Sequence, residues 1–194
     1  MHGDDTVKPT ASGVRLTWDD YALFPDDGKR HELIDGEHYV TPAPVRTHQV
    51  IVLNIASSIR SHLRAHPVGH VYVSPFDVIL SNYDVVQPDV LYLSRERERT
   101  VETSPWVRGA PSLVVEVGSP ATRKRDETIK RRLYAQHGVD EYWIVDPDLN
   151  RVTILRRAGE VFAHAAELTL DAGEVLTTPL LPDWQMPLRH VFED

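Results

Sequence analysis

The chain has no cysteine among its 194 residues. That absence excludes thiol nucleophiles, thiolate zinc sites and any disulfide framework, and it suits a reducing compartment. No apolar run approaches the ~18 residues that a membrane-crossing helix needs, so no membrane partner is expected. The opening stretch MHGDDTVKPTASG lacks the apolar core of a signal peptide, which makes cytoplasmic residence the expectation. Basic residues are also scarce, since 21 Lys and Arg against 29 Asp and Glu leave a net charge of -8. Such a chain does not coat a polyanion by bulk attraction, so any nucleic-acid contact requires a local basic patch.

What remains is globular material. Hydrophobic residues at 41% and charged residues at 26% are too balanced for a disordered chain. The length fits one domain, large enough to bury roughly 70% of its unfolded surface without a staple. Residues 1–13 read as a mobile tail and residues 14–194 as the domain.

Thr17 followed by Trp18-Asp19-Asp20 predicts a short capped helix ending before Pro25. Asp35-Gly36 between His31–Ile34 and Glu37–Val40 predicts a β-hairpin, because a tight turn needs positive φ there. Thr47 is placed to cap a helix over roughly 48–65, with Ile51, Ile55 and Ile59 on one stripe. Strands are expected at Val71–Ser74, Phe76–Leu80 and Asp89–Leu93, with Ser81–Asp84 turning the last two into a hairpin. Residues 94–110 read as an exposed loop or short helix. Leu113–Val117 is apolar on both faces, the pattern of a central strand covered on both sides. A helix over about 123–136, closed by Gly138, is followed by strands at Glu141–Val145 and Val152–Leu155. The remainder, with Pro179, Pro182 and Pro187, is expected to wrap the surface in short extended pieces.

Glu116 carries most of the chemical information. Its β-branched neighbours place a carboxylate in the interior, where an unpaired charge costs several kcal/mol. A buried ion pair and a metal ligand explain it equally well. Asp89 opens a strand after Gln87-Pro88, and two acids on neighbouring strands repel unless a cation lies between them. Mg²⁺ fits such a pair, since it takes one or two carboxylates and keeps several waters. The segment Thr122–Arg132 then supplies six basic and two acidic residues. Lys130 shares a helical face with Asp126 and Tyr134 and points inward, whereas Lys124 and Arg131 face solvent. The commonplace alternative is a solvated basic face paired with Asp126 and Glu127.

Six segments in order carry a resemblance: Glu-Leu-Ile-Asp-Gly-Glu at 32–37, Pro-x-Pro-x-x-x-His at 42–48, Gln-Pro-Asp-Val at 87–90, Val-Val-Glu-Val at 114–117, Ser-Pro-x-Thr at 119–122 and Glu-Tyr-Trp-Ile-Val-Asp at 141–146. Together they resemble the Uma-two family, restriction-endonuclease relatives within the PD-(D/E)xK nuclease superfamily. The resemblance implies a single α/β domain of restriction-endonuclease-like fold, a mixed central sheet flanked by helices. It implies a catalytic set of Glu32, Asp89, Glu116 and Lys130. The superfamily lysine normally lies two residues after the glutamate, where this chain has Gly118, so Lys130 from the next helix is its replacement. Asp77 and His48 match recurrent family positions and are auxiliary candidates.

The expected chemistry is phosphodiester hydrolysis, with Mg²⁺ or Mn²⁺ held by Asp89, Glu116 and the Val117 carbonyl. Glu32 assists a second ion or an outer water, and Lys130 stabilises developing charge. Arg123 and Arg125 are expected to bind flanking phosphates. The expected partners are nucleic acid, DNA before RNA, and a second copy of the chain as a homodimer. The rival reading is a non-catalytic module that keeps the fold and works by binding.

Overall fold

The structure is a computed structural model describing residues 13–103, 105–119 and 122–193. The expected tail therefore lies outside the described residues, Gly13 excepted. Helix α1 (Trp18–Tyr21) starts on a capping box: the Thr17 hydroxyl accepts from the Asp20 N–H, and the Asp20 carboxylate accepts from the Thr17 N–H. Strands β1 (Arg30–Ile34) and β2 (Glu37–Thr41) pair antiparallel with Ile34 opposite Glu37. Between them Asp35 and Gly36 have φ of 54° and 75°, as the Asp-Gly turn requires. A Cβ at Gly36 would also lie 2.6 Å from the Arg15 side chain, so glycine answers two constraints there.

Helix α2 (Arg46–Ala65) buries Ile51, Ile55 and Ile59 along the expected stripe. Its N-cap is Val45, which makes no side-chain cap, so Thr47 sits inside the first turn instead of starting the helix. Strands β3 (Gly69–Val73), β4 (Val78–Ser81), β5 (Asp84–Val86) and β6 (Val90–Ser94) follow. The Asn82-Tyr83 turn joins β4 to β5 and not to the strand after Asp89, which corrects the expected pairing. The reason is local. Asp84 accepts from Ser81 Oγ at 2.5 Å and from the Asp35 N–H at 2.8 Å, which pins a strand start there. Pro88 then removes the N–H that would continue β5 into β6.

The stretch expected as an exposed loop or short helix contains the short helix α3 (Arg95–Glu98), capped by Ser94, and also a strand, β7 (Val107–Arg108). Strand β8 (Leu113–Val117) is buried at every residue. Beyond it the expected single helix is three consecutive pieces: α4 (Arg123–Arg125), a π-turn (Asp126–Lys130) and α5 (Arg131–Gln136). Gly138, at φ 87°, reverses the chain into β9 (Glu141–Asp146).

The C-terminal third departs furthest from expectation. Strand β10 (Arg151–Ala158) forms a long hairpin with β11 (Val161–Thr169). β11 is an edge strand with only Phe162 buried, so its sequence carries almost no apolar alternation. After β12 (Val175–Thr177), β13 (Gln185–Pro187) and α6 (Leu188–Phe192), the chain is core rather than wrapping. Trp184, Met186, Leu188 and Val191 are all buried against α2 and the main sheet.

The main sheet has the order β11-β10-β9-β8-β6-β3 and the second β2-β1-β5-β4-β7, with β12-β13 apart. β8 pairs antiparallel with β6 and parallel with β9, so the sheet is mixed, as expected. One face of β8 and β9, with Val115, Val117 and Trp143, packs on Ile51 and Ile55 of α2. The other, with Val114, Tyr142 and Ile144, packs on Leu133 and Tyr134 of α5 and on Ile34, Val78 and Val86 of the second sheet. Glu116 shares that second face with Val114, since alternate residues of a strand point the same way. Among the described residues no helix is long and apolar enough to cross a membrane.

Candidate active site

The β6–β8 register places the two central acids together. Val90 lies opposite Val115, so the next pair outward is Asp89 and Glu116 at the same strand ends. Asp89 is fully engaged: Oδ1 accepts from Arg30 Nη1 at 2.7 Å, while Oδ2 accepts from the Val117 N–H at 2.8 Å and meets His48 Nε2 at 3.0 Å. Burial pushes its pKa up, but the His48 and Arg30 contacts win and hold it below the usual carboxylate range.

Lys130 arrives from the π-turn. Its Nζ donates to Glu32 Oε1 at 2.8 Å and to Glu116 Oε1 at 2.9 Å. A π-turn leaves the helical ladder incomplete and is commonly found at functional sites. Here the Tyr142 hydroxyl donates to the Asp126 carbonyl at 3.2 Å, inside that turn. One turn on, the Tyr134 hydroxyl donates to Glu116 Oε1 at 2.7 Å. Glu32 is anchored further by the Gln87 N–H at 2.9 Å, and its Oε2 lies 3.5 Å from Arg125 Nη2. Asp126 completes the set, buried on the cavity wall with Oδ1 unbonded among the described residues.

The four carboxyls do not share charge equally. Burial raises the pKa of Glu32, yet Lys130 and Arg125 outweigh it and keep Glu32 ionised. Burial also dominates at Glu116; Lys130 opposes it, Asp89, Asp126 and Glu32 reinforce it, and the result is a pKa pushed up to about 8. Burial raises Asp126 as well. Lys130 would lose its proton to burial, but Glu116 and Glu32 reverse that and keep the ammonium charged. Lys130 therefore bridges both acids, and Glu32 is the one whose charge its surroundings favour. Burial thus works against an ionised Glu116, whose Oε2 accepts no hydrogen bond among the described residues.

These groups line one cavity of about 620 Å³, bounded on the outside by Pro42, Pro44, Val45 and Pro147. It brings together Glu32, His48, Asp89, Glu116, Val117, Arg125 and Lys130 from the sequence-derived set. Arg123 lies apart, its Nη2 held 2.9 Å from both Asp146 and Asp148. Asp77 also lies outside, accepting from the Tyr21 hydroxyl at 2.7 Å and from Gln87 Nε2 at 2.8 Å. The same Gln87 donates its backbone N–H to Glu32. His48 neither caps its helix nor faces solvent; it fixes Asp89.

Sequence reasoning missed Arg30, and took Asp126 and Tyr134 for markers of a helix face only. Arg30 was findable, because it stands two residues before Glu32 on one strand and therefore on the same face. The roles of Asp126 and Tyr134 had no local signal.

Among the described residues no three His, Cys, Asp or Glu side chains converge as a metal cage. The available donors are two neighbouring carboxylates and the Val117 carbonyl, hard oxygens of the kind Mg²⁺ or Mn²⁺ uses alongside water. Glu116 Oε2, which accepts no hydrogen bond among the described residues, is open to that role. By chemical type these donors suit such an ion, while Arg30 and His48 already contact the Asp89 oxygens.

A mixed sheet carrying an aspartate and a glutamate on adjacent strands, with a lysine from the following helix, defines a restriction-endonuclease-like α/β fold. The fold is similar to the crystal structure of "a putative nuclease belonging to DUF820" from Anabaena variabilis, with a TM-score of 0.76 and 18% identity over 91% of this chain and 97% of that one. An uncharacterised protein of Synechocystis is 28% identical over 133 residues, 66% of this chain and 67% of that protein. The Uma2 family model, described as "Putative restriction endonuclease", matches residues 18–189. The chain belongs to the Uma2 family.

Proposed function

We propose that the chain is a metal-dependent endonuclease that hydrolyses phosphodiester bonds in nucleic acid, DNA before RNA. The observation that carries this reading is Lys130 Nζ lying within 2.9 Å of Glu116, beside Asp89, on the wall of an open cavity. A lysine next to a strand acid is what the superfamily chemistry needs, and here it comes from the helix and not from position 118. Asp89, Glu116 and the Val117 carbonyl would hold Mg²⁺ or Mn²⁺, which when bound polarises the phosphoryl group and acidifies a water.

The protein's own groups do the rest. Lys130, kept charged and aimed by Glu32, stabilises negative charge that develops on the phosphate. Arg125 lines the same cavity and meets a neighbouring phosphate. Arg123, tied to Asp146 and Asp148, contributes only to a strand that runs over that turn. His48 orients Asp89, and Asp77 orients Glu32 through Gln87.

One observation favours the rival reading of a non-catalytic binding module. Arg30 sits 2.7 Å from Asp89 Oδ1, so the protein's own cation occupies a metal-ligand oxygen. Calorimetric titration with Mn²⁺, followed by incubation with plasmid, linear and single-stranded DNA, separates the two. Saturable binding with cleavage supports the nuclease. Nucleic-acid binding without cleavage in either metal supports the module.

A further inference from the structure

Beside the acid–lysine cavity lies a second cavity of about 270 Å³, lined by Trp18, Tyr21, Phe24, His31 and Trp106. Gln87 lines both cavities and is the partition between them. On one side its backbone N–H holds Glu32; on the other its amide donates to Asp77 at 2.8 Å. The rings form a continuous series. Trp18 and Trp106 have centroids 4.8 Å apart, Trp18 and Tyr21 5.6 Å, and Tyr21 and Phe24 5.4 Å. Trp18, Phe24 and Trp106 are half-buried around buried Tyr21, and this aromatic lining with a polar partition suits a flat heteroaromatic ring.

The acid–lysine cavity itself argues in the same direction. Glu32, Asp89, Glu116 and Lys130 are 1%, 2%, 4% and 3% exposed. A lone strand, being narrow and flexible, is drawn in to groups that deep more readily than a stiff intact duplex. A duplex binder also relies on many uncommitted cations along its backbone. Arg30 and Arg125, which line this cavity, are already paired with Asp89 and Glu32. In a chain of net charge -8, affinity must come from stacking more than from counterion release.

We propose that the substrate is a single-stranded nucleic acid, one of whose bases lodges in the Trp18–Phe24–Trp106 cavity next to the scissile phosphate. The proposal rests on the nuclease reading for its chemistry, but the base site stands on its own geometry. Trp143 and Trp184 are 0% and 4% exposed, so a quencher in solution reads Trp18 and Trp106.

Oligothymidylate added to the full chain in Ca²⁺ buffer should quench tryptophan fluorescence saturably. A blunt duplex of equal length should bind at least tenfold more weakly. Phe24→Ala should weaken single-strand binding about tenfold, the scale of one lost base–aromatic stack. Its melting curve checks the fold, and the wild-type quench needs no variant. In Mg²⁺ or Mn²⁺ the single strand should be cut at least tenfold faster than the duplex. Equal affinity and equal cutting of both forms would overturn the proposal, as would single-strand binding without quenching. Quenching with no cutting of any nucleic acid would instead overturn the nuclease reading and support the base site.

Discussion

Replacing Glu116 by Gln tests the electrostatics of the cavity without needing any substrate. In the folded protein Glu116 titrates at about 8, against an ordinary value of 4.5, because it is buried and faces Asp89, Asp126 and Glu32. A folded-state pKa above the unfolded one means that the native state binds the extra proton between those values. The stabilisation is full below about pH 4.5 and is lost as pH rises through 8. A single group gives a slope of at most about 1.4 kcal/mol per pH unit. Coupling to Lys130 spreads the titration, so a total of about 2–4 kcal/mol across the window is the working magnitude.

Glutamine cannot ionise and still offers Oε1 to Lys130 and Tyr134. The variant should match the wild type near pH 5 and become the more stable protein by pH 8. For a chain of this size each kcal/mol moves the melting temperature by about 2–4 °C. Urea unfolding in chelator, at pH 5, 6, 7 and 8, reads the difference directly and cancels the other titrating groups. Parallel wild-type and variant curves would refute the reasoning. A variant less stable throughout would mean that Glu116 is the ionised partner of Lys130 and belongs to a structural ion pair.

Asp89→Asn and Glu116→Gln should each abolish Mn²⁺ binding by calorimetry with the fold intact; unchanged affinity in both sinks the assignment of ligands. Lys130→Ala should lower cleavage by about 10²–10³-fold, and it should cost about 3–5 kcal/mol in urea because it strands ionised Glu32. Lys124→Ala, on the exposed side of the same segment, should change neither by much, and equal small effects from both would reduce the basic run to a solvated face. Arg30→Gln should tighten Mn²⁺ binding by freeing Asp89 Oδ1 while leaving Lys130 in place; weaker binding would mean that Arg30 is needed to shape the ligand.

The local signals that proved readable are those in which one residue's own backbone or burial demands its type. Asp35-Gly36 is a turn because the two-residue reversal needs positive φ at both positions. Glu116 stands out because a charge among β-branched residues of a central strand demands a partner. Lys130 was legible because helical spacing put it on the face of Asp126 and Tyr134, all three of which are buried. What failed has equally local causes: β11 is an edge strand with too little buried surface to impose alternation. The C-terminal prolines looked like wrapping because Trp184 and Met186 find their core partners only on α2 and the main sheet.

The sequence by itself determined the family, the central strands, and Glu32, Asp89, Glu116 and Lys130 as the candidates for chemistry. Only the tertiary structure decided how charge is divided among them. Which of Glu32 and Glu116 is ionised depends on distances between groups separated by up to 98 positions, as in the Lys130–Glu32 bond, and on how much water their burial removes. The same holds for Arg30 on Asp89, for Arg123 turned away to Asp146, and for the aromatic cavity behind Gln87. Coulomb and desolvation energies depend on three-dimensional separation and dielectric surroundings, and no spacing along a chain encodes either.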